Sequence, residues 1–318
     1  MPRVPFRFES SEDCDDDLYT LDAFDEPRVA RKAARTVRRP DPVEPPAGID
    51  DPGEPADLDG PPAGDRWSTW DGATHGPKPR PDWVVTALGA VDYELGVLKT
   101  GKEADVFLID RQVPDGGPRC LLAAKRYRTS EHRSFHRDAG YLEGRRVRRS
   151  RENRAMARRT DFGRELLAGQ WAAAEFAVLG VLREAGVAVP YPVSLDGTEL
   201  LQEFIGDASG TAAPRLAQCR PGGAELGSLW DQLLDAMSTM ARHGLAHGDL
   251  SPYNLLVHGG RLVMIDLPQA VDIVGNPQGV GFLRRDVVNV CDWFAARGLT
   301  AADPEAIFEM LLSEAHLG

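Results

Sequence analysis

From Leu245 to Asp266 the chain reads Leu-Ala-His-Gly-Asp-Leu-Ser-Pro-Tyr-Asn-Leu-Leu-Val-His-Gly-Gly-Arg-Leu-Val-Met-Ile-Asp, a pattern that leaves the backbone few options. Two short apolar runs, Leu255–Val257 and Arg261–Asp266, flank His258-Gly259-Gly260, and read as two strands joined by a tight turn. Pairing them brings Asn254 and Asp266 to the same end of a hairpin. Asp249 lies on the loop just before it. The outcome is one carboxylate placed to act as a base, with a carboxamide and a second carboxylate as oxygen ligands for a hard cation such as magnesium.

Protein kinases use this order: an Asp in a catalytic loop, an Asn five residues on, and a metal-binding Asp after the next hairpin. The working expectation is an ATP-dependent phosphoryl-transfer enzyme, and the remaining stretches are read against it.

At 318 residues the chain can hold one large domain or two modest ones. A net charge of -12 argues against a protein that wraps nucleic acid with an overall basic surface. Cys14, Cys120, Cys219 and Cys291 are scattered, with no Cys-x-x-Cys, so neither a zinc site nor a disulfide framework is expected. No signal-peptide core opens the chain and no stretch reads as a membrane helix of ~20 apolar residues, so the expectation is a soluble cytoplasmic protein without a membrane partner.

Residues 1–80 carry the acidic run Glu12–Asp17, a basic segment from Arg28 to Arg39 and a Pro/Gly/Asp-rich tract. They bury too little apolar surface to offset chain entropy and are expected to form a disordered acidic tail. Order is expected from Pro81, with Asp82 capping a short helix that carries Trp83, Val84 and Leu88. Tyr93 to Ile109 reads as strand, turn, strand, and the turn Thr100-Gly101-Lys102 can lay backbone N–H groups against phosphate. That turn has one glycine where the usual kinase loop has three. Cys120–Tyr127 is a third strand, on which Lys125 is the candidate phosphate-holding lysine; a surface lysine at a strand end is the plain alternative.

Eight arginines between Arg145 and Arg159 make 129–164 an Arg-rich flexible loop, either solvated, or a patch for RNA or phosphate, or part of a nucleotide lid. From Asp161, Trp171, Ala174, Glu175, Val178, Leu179 and Leu182 recur at helical spacing, and Gly186 ends the helix. Glu175 falls within that pattern and needs a cation, for which Lys125 is the natural partner. Asp196-Gly197 between apolar runs predicts a hairpin ending in Glu203-Phe-Ile-Gly206, a hinge whose backbone groups would meet adenine. Leu226, Leu229, Leu233, Ala236, Met237 and Met240 mark a long amphipathic helix. A helix around Gly281–Phe294 and a last one opened by Pro304 complete the chain.

Taken together, Thr100–Phe107, Ala123–Tyr127, Trp171–Glu175, Glu203–Gly206, His247–Asn254, Ile265-Asp266 and Phe282–Val290 resemble the RIO family of atypical protein kinases, with spacing most like its Rio1 branch. The Arg/Ala/Gly/Pro-rich composition hints at a bacterial member. Ser251 stands where ordinary protein kinases have a basic residue, and Asp266 is followed by Leu-Pro rather than Phe-Gly. The resemblance implies an α+β, bilobal protein-kinase-like fold, with a β-rich N-lobe over 81–206, a mostly helical C-lobe over 207–318, and no long activation segment. It implies serine/threonine kinase and ATPase activity with ATP and Mg2+ (Mn2+ as the alternative), and autophosphorylation or a protein substrate. By position, Asp249 would be the catalytic aspartate. Asn254 and Asp266 would hold the metal, and Asp266 would be the candidate phosphoaspartate. Gly101, Lys102, Lys125, Glu175, Glu203, Ile205 and Asn254 would line the nucleotide site. Ribosomal particles or RNA would be partners of the Arg-rich loop.

Two other readings share the local motif. Small-molecule kinases of the aminoglycoside or choline type have a His-Gly-Asp-Leu-x-x-x-Asn loop and a following Ile-Asp, but the Thr-Gly-Lys-Glu-Ala-Asp turn and Phe-Leu-Arg-Arg-Asp helix favour the RIO reading. An ATP-gated ribosome-assembly factor, in which turnover matters little, is the non-enzyme alternative.

Overall fold

Apolar runs bounded by turn residues make three consecutive strands, β3 (Val91–Thr100), β4 (Ala104–Gln112) and β5 (Arg119–Tyr127), the last two buried at successive residues rather than at alternate ones. The computed structural model describes residues 61, 63–128 and 161–317. Asp115 and Gly116, both at positive φ, turn β4 into β5. Helix α1 (Asp161–Glu184) follows, stopped at Gly186 in the left-handed region. The hairpin of β6 (Pro192–Asp196) and β7 (Glu199–Glu203), turning at Gly197, completes the expected strands.

The sheet holds two more. β1 (Arg66–Trp67) pairs with β3 at one edge and β2 (Thr74–His75) pairs with β6 at the other, giving the antiparallel order β1-β3-β4-β5-β7-β6-β2. Six strand spacings of a flat sheet amount to about 29 Å, whereas the seven steps from Trp67 to Thr74 reach at most about 24 Å. The sheet is therefore strongly curled. Arg66 confirms it by crossing to β7, where its guanidinium meets Glu199 at 2.7 Å. On the same face Arg111 holds Asp92 through two bonds of 2.7 and 2.9 Å, and Arg126 reaches Glu199 at 2.6 Å.

Order thus begins before Pro81. The expectation of a disordered 1–80 segment is corrected for residues 63–80, because two strand pairings, the Arg66 ion pairs and buried Trp70 repay the ordering of a Gly/Pro-rich strap. Residues 1–60 and 62 lie outside the described residues. No helix forms after Asp82; Val84 and Val85 are buried in an irregular stretch, packed with Trp70, Ile109, Leu122 and Leu201 on the face opposite Lys125. Most of the expected Arg-rich loop, 129–160, is likewise outside the description, and 161–164 are the first turn of α1.

The second lobe is built on α2 (Gly223–Arg242), whose Leu226, Leu229, Trp230, Leu233 and Met237 make one buried stripe. Against it pack α3 (Gly279–Ala295), through Leu283, Val287, Val290 and Phe294, and α4 (Pro304–Glu314), through Ile307, Phe308 and Leu311. Asp303 caps α4 by accepting the Glu305 N–H. Between α2 and α3 lie β8 (Leu245–Ala246), β9 (Leu255–His258), β10 (Arg261–Met264) and β11 (Val271–Asp272). β9 and β10 form the expected hairpin, and β8 pairs with β11. Only residues 267–278 separate Asp266 from α3. This is the bilobal α+β arrangement expected, without a long activation segment.

One expectation about membranes needs amending. The window Leu166–Glu184 of α1 is long and apolar enough, by length and composition, to cross a bilayer. In the fold it packs Ala168, Trp171, Ala172, Leu179 and Leu182 inside the protein and carries an ion-paired glutamate at its middle.

Candidate active site

Helix α1 reaches the sheet because Ala168 and Ala172, one turn apart, let Trp171 settle against Tyr127 and Ala104. That docking carries Glu175 to Lys125. The two side chains are 1% and 8% exposed and meet at 2.8 Å. Lys125 Nζ also meets Asp266 Oδ1 at 2.6 Å. The Glu175 carboxylate is saturated: Oε1 accepts from Lys125 and from the Leu267 N–H (3.0 Å), and Oε2 accepts from the Tyr127 hydroxyl. One glutamate therefore ties α1 to β5 and to the backbone that follows Asp266.

Asp266 adopts φ +67, the left-handed region that few non-glycine residues occupy. It lies just beyond the hairpin, where the Ile265 N–H bonds the Asn254 carbonyl at 3.0 Å. Its second oxygen faces Lys99 Nζ at 3.4 Å. Burial alone would raise the Asp266 carboxyl pKa, but the charges of Lys125 and Lys99 outweigh it and hold the group below the usual carboxylate range. Burial would likewise lower the pKa of Lys125; Asp266 and Glu175 outweigh that too, and the ammonium is held above its ordinary value.

Asp249 is fixed through its backbone. Its N–H donates to His247 Nδ1 at 3.4 Å, and its carbonyl accepts the Asn254 amide at 2.9 Å. With Nδ1 accepting, His247 carries its proton on Nε2, which donates to the Ile265 carbonyl at 3.1 Å. Among the described residues the Asp249 carboxylate itself accepts no hydrogen bond, which leaves it open to a substrate hydroxyl. From below, Asp286 of α3 accepts the N–H groups on either side of Asp249, Gly248 at 2.7 Å and Leu250 at 2.8 Å. Arg285 donates to the Gly248 carbonyl and Asn289 to that of Leu250. Burial raises the Asp286 carboxyl pKa, with those two N–H groups pulling against it.

The sequence-predicted residues are thus gathered unevenly. Lys125, Glu175 and Asp266 are in direct contact, and Asp249 and Asn254 are bonded to each other. Gly101 is in the expected turn, but its N–H is taken by the Ala104 carbonyl at 3.0 Å. Lys102 is exposed on that turn, and it is Lys99 that reaches Asp266. The Glu203 N–H is used by Tyr191 at 2.9 Å, whereas the Ile205 N–H has no backbone partner among the described residues. A link across the cleft joins Gln269 Nε2 to Glu103 Oε1 at 3.1 Å.

Sequence reasoning gave no role to Lys99, Tyr127, His247 or Asp286. Asp286 could have been found by the rule applied to Glu175, since it is an acid on the apolar face of a helix, four residues after Phe282 and four before Val290. Lys99 is revealed only by strand register.

Comparison with known proteins fits this geometry. A family model described as RIO domain matches residues 115–307. The chain is 35% identical over 226 residues to the RIO-type serine/threonine-protein kinase Rio1 of Haloferax volcanii, covering 71% of each chain. It is 32% identical to the serine/threonine-protein kinase RIO1 of Chaetomium thermophilum, over 68% of this chain and 42% of that one. Against the Rio1 kinase of Thermoplasma acidophilum it is 36% identical, over 44% of this chain and 72% of the other.

Proposed function

Because this chain belongs to the RIO family of serine/threonine-protein kinases, and so is an ATP-dependent kinase that works with a divalent metal, we propose specific roles for its residues, with Mg2+ as the cation. Asp249 orients the acceptor hydroxyl and takes its proton as the γ-phosphoryl transfers. Lys125 holds phosphate oxygens, kept charged and in place by Glu175. The Glu203 carbonyl and the Ile205 N–H meet adenine.

Asn254 and Asp266 are the protein's ligands for the cation. Among the described residues no group of three or more His, Cys, Asp or Glu could hold a metal alone. Magnesium suits such a place, since it takes one or two protein oxygens and completes its shell with phosphate and water; Mn2+ is the alternative. The fit is chemical: Asp266 is kept ionised by two lysines, and Asn254 spends its amide nitrogen on the Asp249 carbonyl, leaving the carboxamide oxygen as donor. When bound, the cation neutralises charge on the phosphate oxygens. Everything else is positioning by the chain itself.

The observation that carries this reading is the Glu175–Lys125–Asp266 chain of contacts beside an Asp249 carboxylate with no hydrogen bond of its own among the described residues. The short span 267–278 supports phosphorylation of the chain itself or of few partners over broad peptide docking. The Arg-rich stretch supports contact with RNA or ribosomal particles in the cytoplasm. Names of the relatives as protein kinases weigh against a small-alcohol acceptor. The test is ATP turnover by the purified full chain, with mass mapping of the phosphorylated residue, which separates Ser/Thr from a phosphoaspartate at Asp266. Asp249→Asn should abolish turnover and keep ATP binding; normal turnover in that variant would overturn the role of Asp249.

A further inference from the structure

Lys99 on β3 pairs directly with Val106 on β4, and Val106 pairs directly with Lys125 on β5. Residues directly opposite in an antiparallel sheet project from the same face. Two lysines therefore stand on the face that holds the site, about 10 Å apart at the backbone, with a valine between them. Both side chains converge on one carboxylate, Lys125 on Asp266 Oδ1 at 2.6 Å and Lys99 on Oδ2 at 3.4 Å.

The two contacts differ in kind. Lys125 is buried and shared with Glu175. The Lys99 and Asp266 side chains are 38% and 30% exposed, and their contact is the longer one. Solvated ion pairs of this sort contribute little and exchange readily. A cation arriving at Asp266 Oδ2 would repel the ammonium already there, and the four-carbon stem of lysine lets that charge swing to a nearby anion. The neighbouring turn has need of such a charge, because Gly101 is its one glycine and the Gly101 N–H is closed onto Ala104 rather than open to a phosphate.

We propose that Lys99 is a second phosphate-binding lysine of this kinase, occupying Asp266 Oδ2 in the absence of a cation and moving to the nucleotide's terminal phosphates when a cation takes that oxygen. This rests on the phosphoryl-transfer reading above. It assigns to a side chain part of the work that a glycine-rich loop does with backbone N–H groups.

Isothermal titration calorimetry of the full chain with ATP, in EDTA and in Mg2+, tests it. Lys99→Met should weaken ATP binding in Mg2+ about tenfold, the usual scale for one charged hydrogen bond, and Lys99→Arg should restore most of it. In EDTA, where Lys99 stays on Asp266, Lys99→Met should bind ATP nearly as the parent does, so its gain in affinity on adding Mg2+ should be smaller than that of the parent. Unchanged affinity of Lys99→Met in Mg2+ overturns the phosphate contact, and an equal loss in EDTA and in Mg2+ overturns the exchange at Asp266. If the parent chain itself bound no ATP, the phosphoryl-transfer reading would fall with it. If the parent binds and Lys125→Met does not, while Lys99→Met in Mg2+ binds as the parent does, only the role of Lys99 is lost.

Discussion

Tyr127 donates a hydrogen bond from its phenolic O–H to the oxygen of Glu175 that Lys125 leaves unused. The tyrosine comes from the same strand as the lysine, two residues on, so both project from one face of β5 and grip both oxygens of one carboxylate. A glutamate with a single donor can swing; one held at both oxygens cannot. Tyr127→Phe keeps the packing against Trp171 and leaves Oε2 unsatisfied in a buried site, at a cost of about 1–3 kcal/mol. The melting temperature should fall by about 2–10 °C, and the KM for ATP should rise as Lys125 loses its fixed partner. A variant with unchanged melting and unchanged KM would show that the hydroxyl holds nothing.

Alkaline pH probes the same cluster. Burial, followed by the Glu175 charge, holds the Tyr127 phenol well above the usual tyrosine range, and Lys125 also keeps its proton beyond the usual lysine value. In the unfolded chain these groups titrate near about 10 and 10.4. Above that the native protein retains protons the unfolded chain has lost, so stability is full below pH ~10 and declines as pH rises toward the folded values. Melting temperatures followed upward from neutral pH should stay level, then drop, and Tyr127→Phe should drop less steeply. A steeper decline in the variant would contradict the assignment.

Asp286 fixes Asp249 from a distance. Asp286→Asn replaces an acceptor of two N–H bonds by a group with one carbonyl oxygen and an amide that repels the other N–H. The loop should shift by a fraction of an ångström to about 1 Å, and turnover should fall by roughly 10²-fold. ATP affinity should stay close to that of the parent, because Lys125 and the hinge are untouched. Equal losses in kcat and in ATP binding would point to general unfolding instead.

Gly248 has φ +84, and a Cβ there would lie 2.3 Å from the Gln269 carbonyl oxygen. Gly248→Ala must therefore push 248–250 away from the segment after Asp266, on top of about 1–2 kcal/mol for the left-handed backbone. Lower stability and loss of turnover should appear together. A fully active alanine variant would mean that the two loops move apart without consequence.

Much of this was legible from residue order. The β9–β10 hairpin, the Asp196-Gly197 turn, the stripe on α2 and the Lys125–Glu175 pair each follow from a local period or from a charge that needs a partner. The missed parts are those where tertiary contact overrides local preference. Residues 63–80 read as disordered because their Gly and Pro are plentiful, yet Arg66, Trp70 and two two-residue strands hold them. Asp82 looked like a cap, but Val84 and Val85 gain more from the sheet than a helical turn would give. Lys99 and Lys102 are alike in sequence, and only the pairing of β3 with β4 says which one faces Asp266. Asp286 is buried on the apolar face of α3, and residue order alone does not say which backbone groups its carboxyl meets.

The strap from Arg66 to His75 also bears on association between molecules. Strand edges are templates onto which another chain can add, and very short edge strands are one way proteins blunt them. β1 covers Val91 and Asp92 of β3, and β2 covers Ser194 and Leu195 of β6, so one ten-residue segment shields both rims of the sheet. A chain begun at residue 81 would uncover both rims at once and deprive Glu199 of Arg66. Its first failing should be self-association, visible by light scattering below the melting temperature, before any loss of helix.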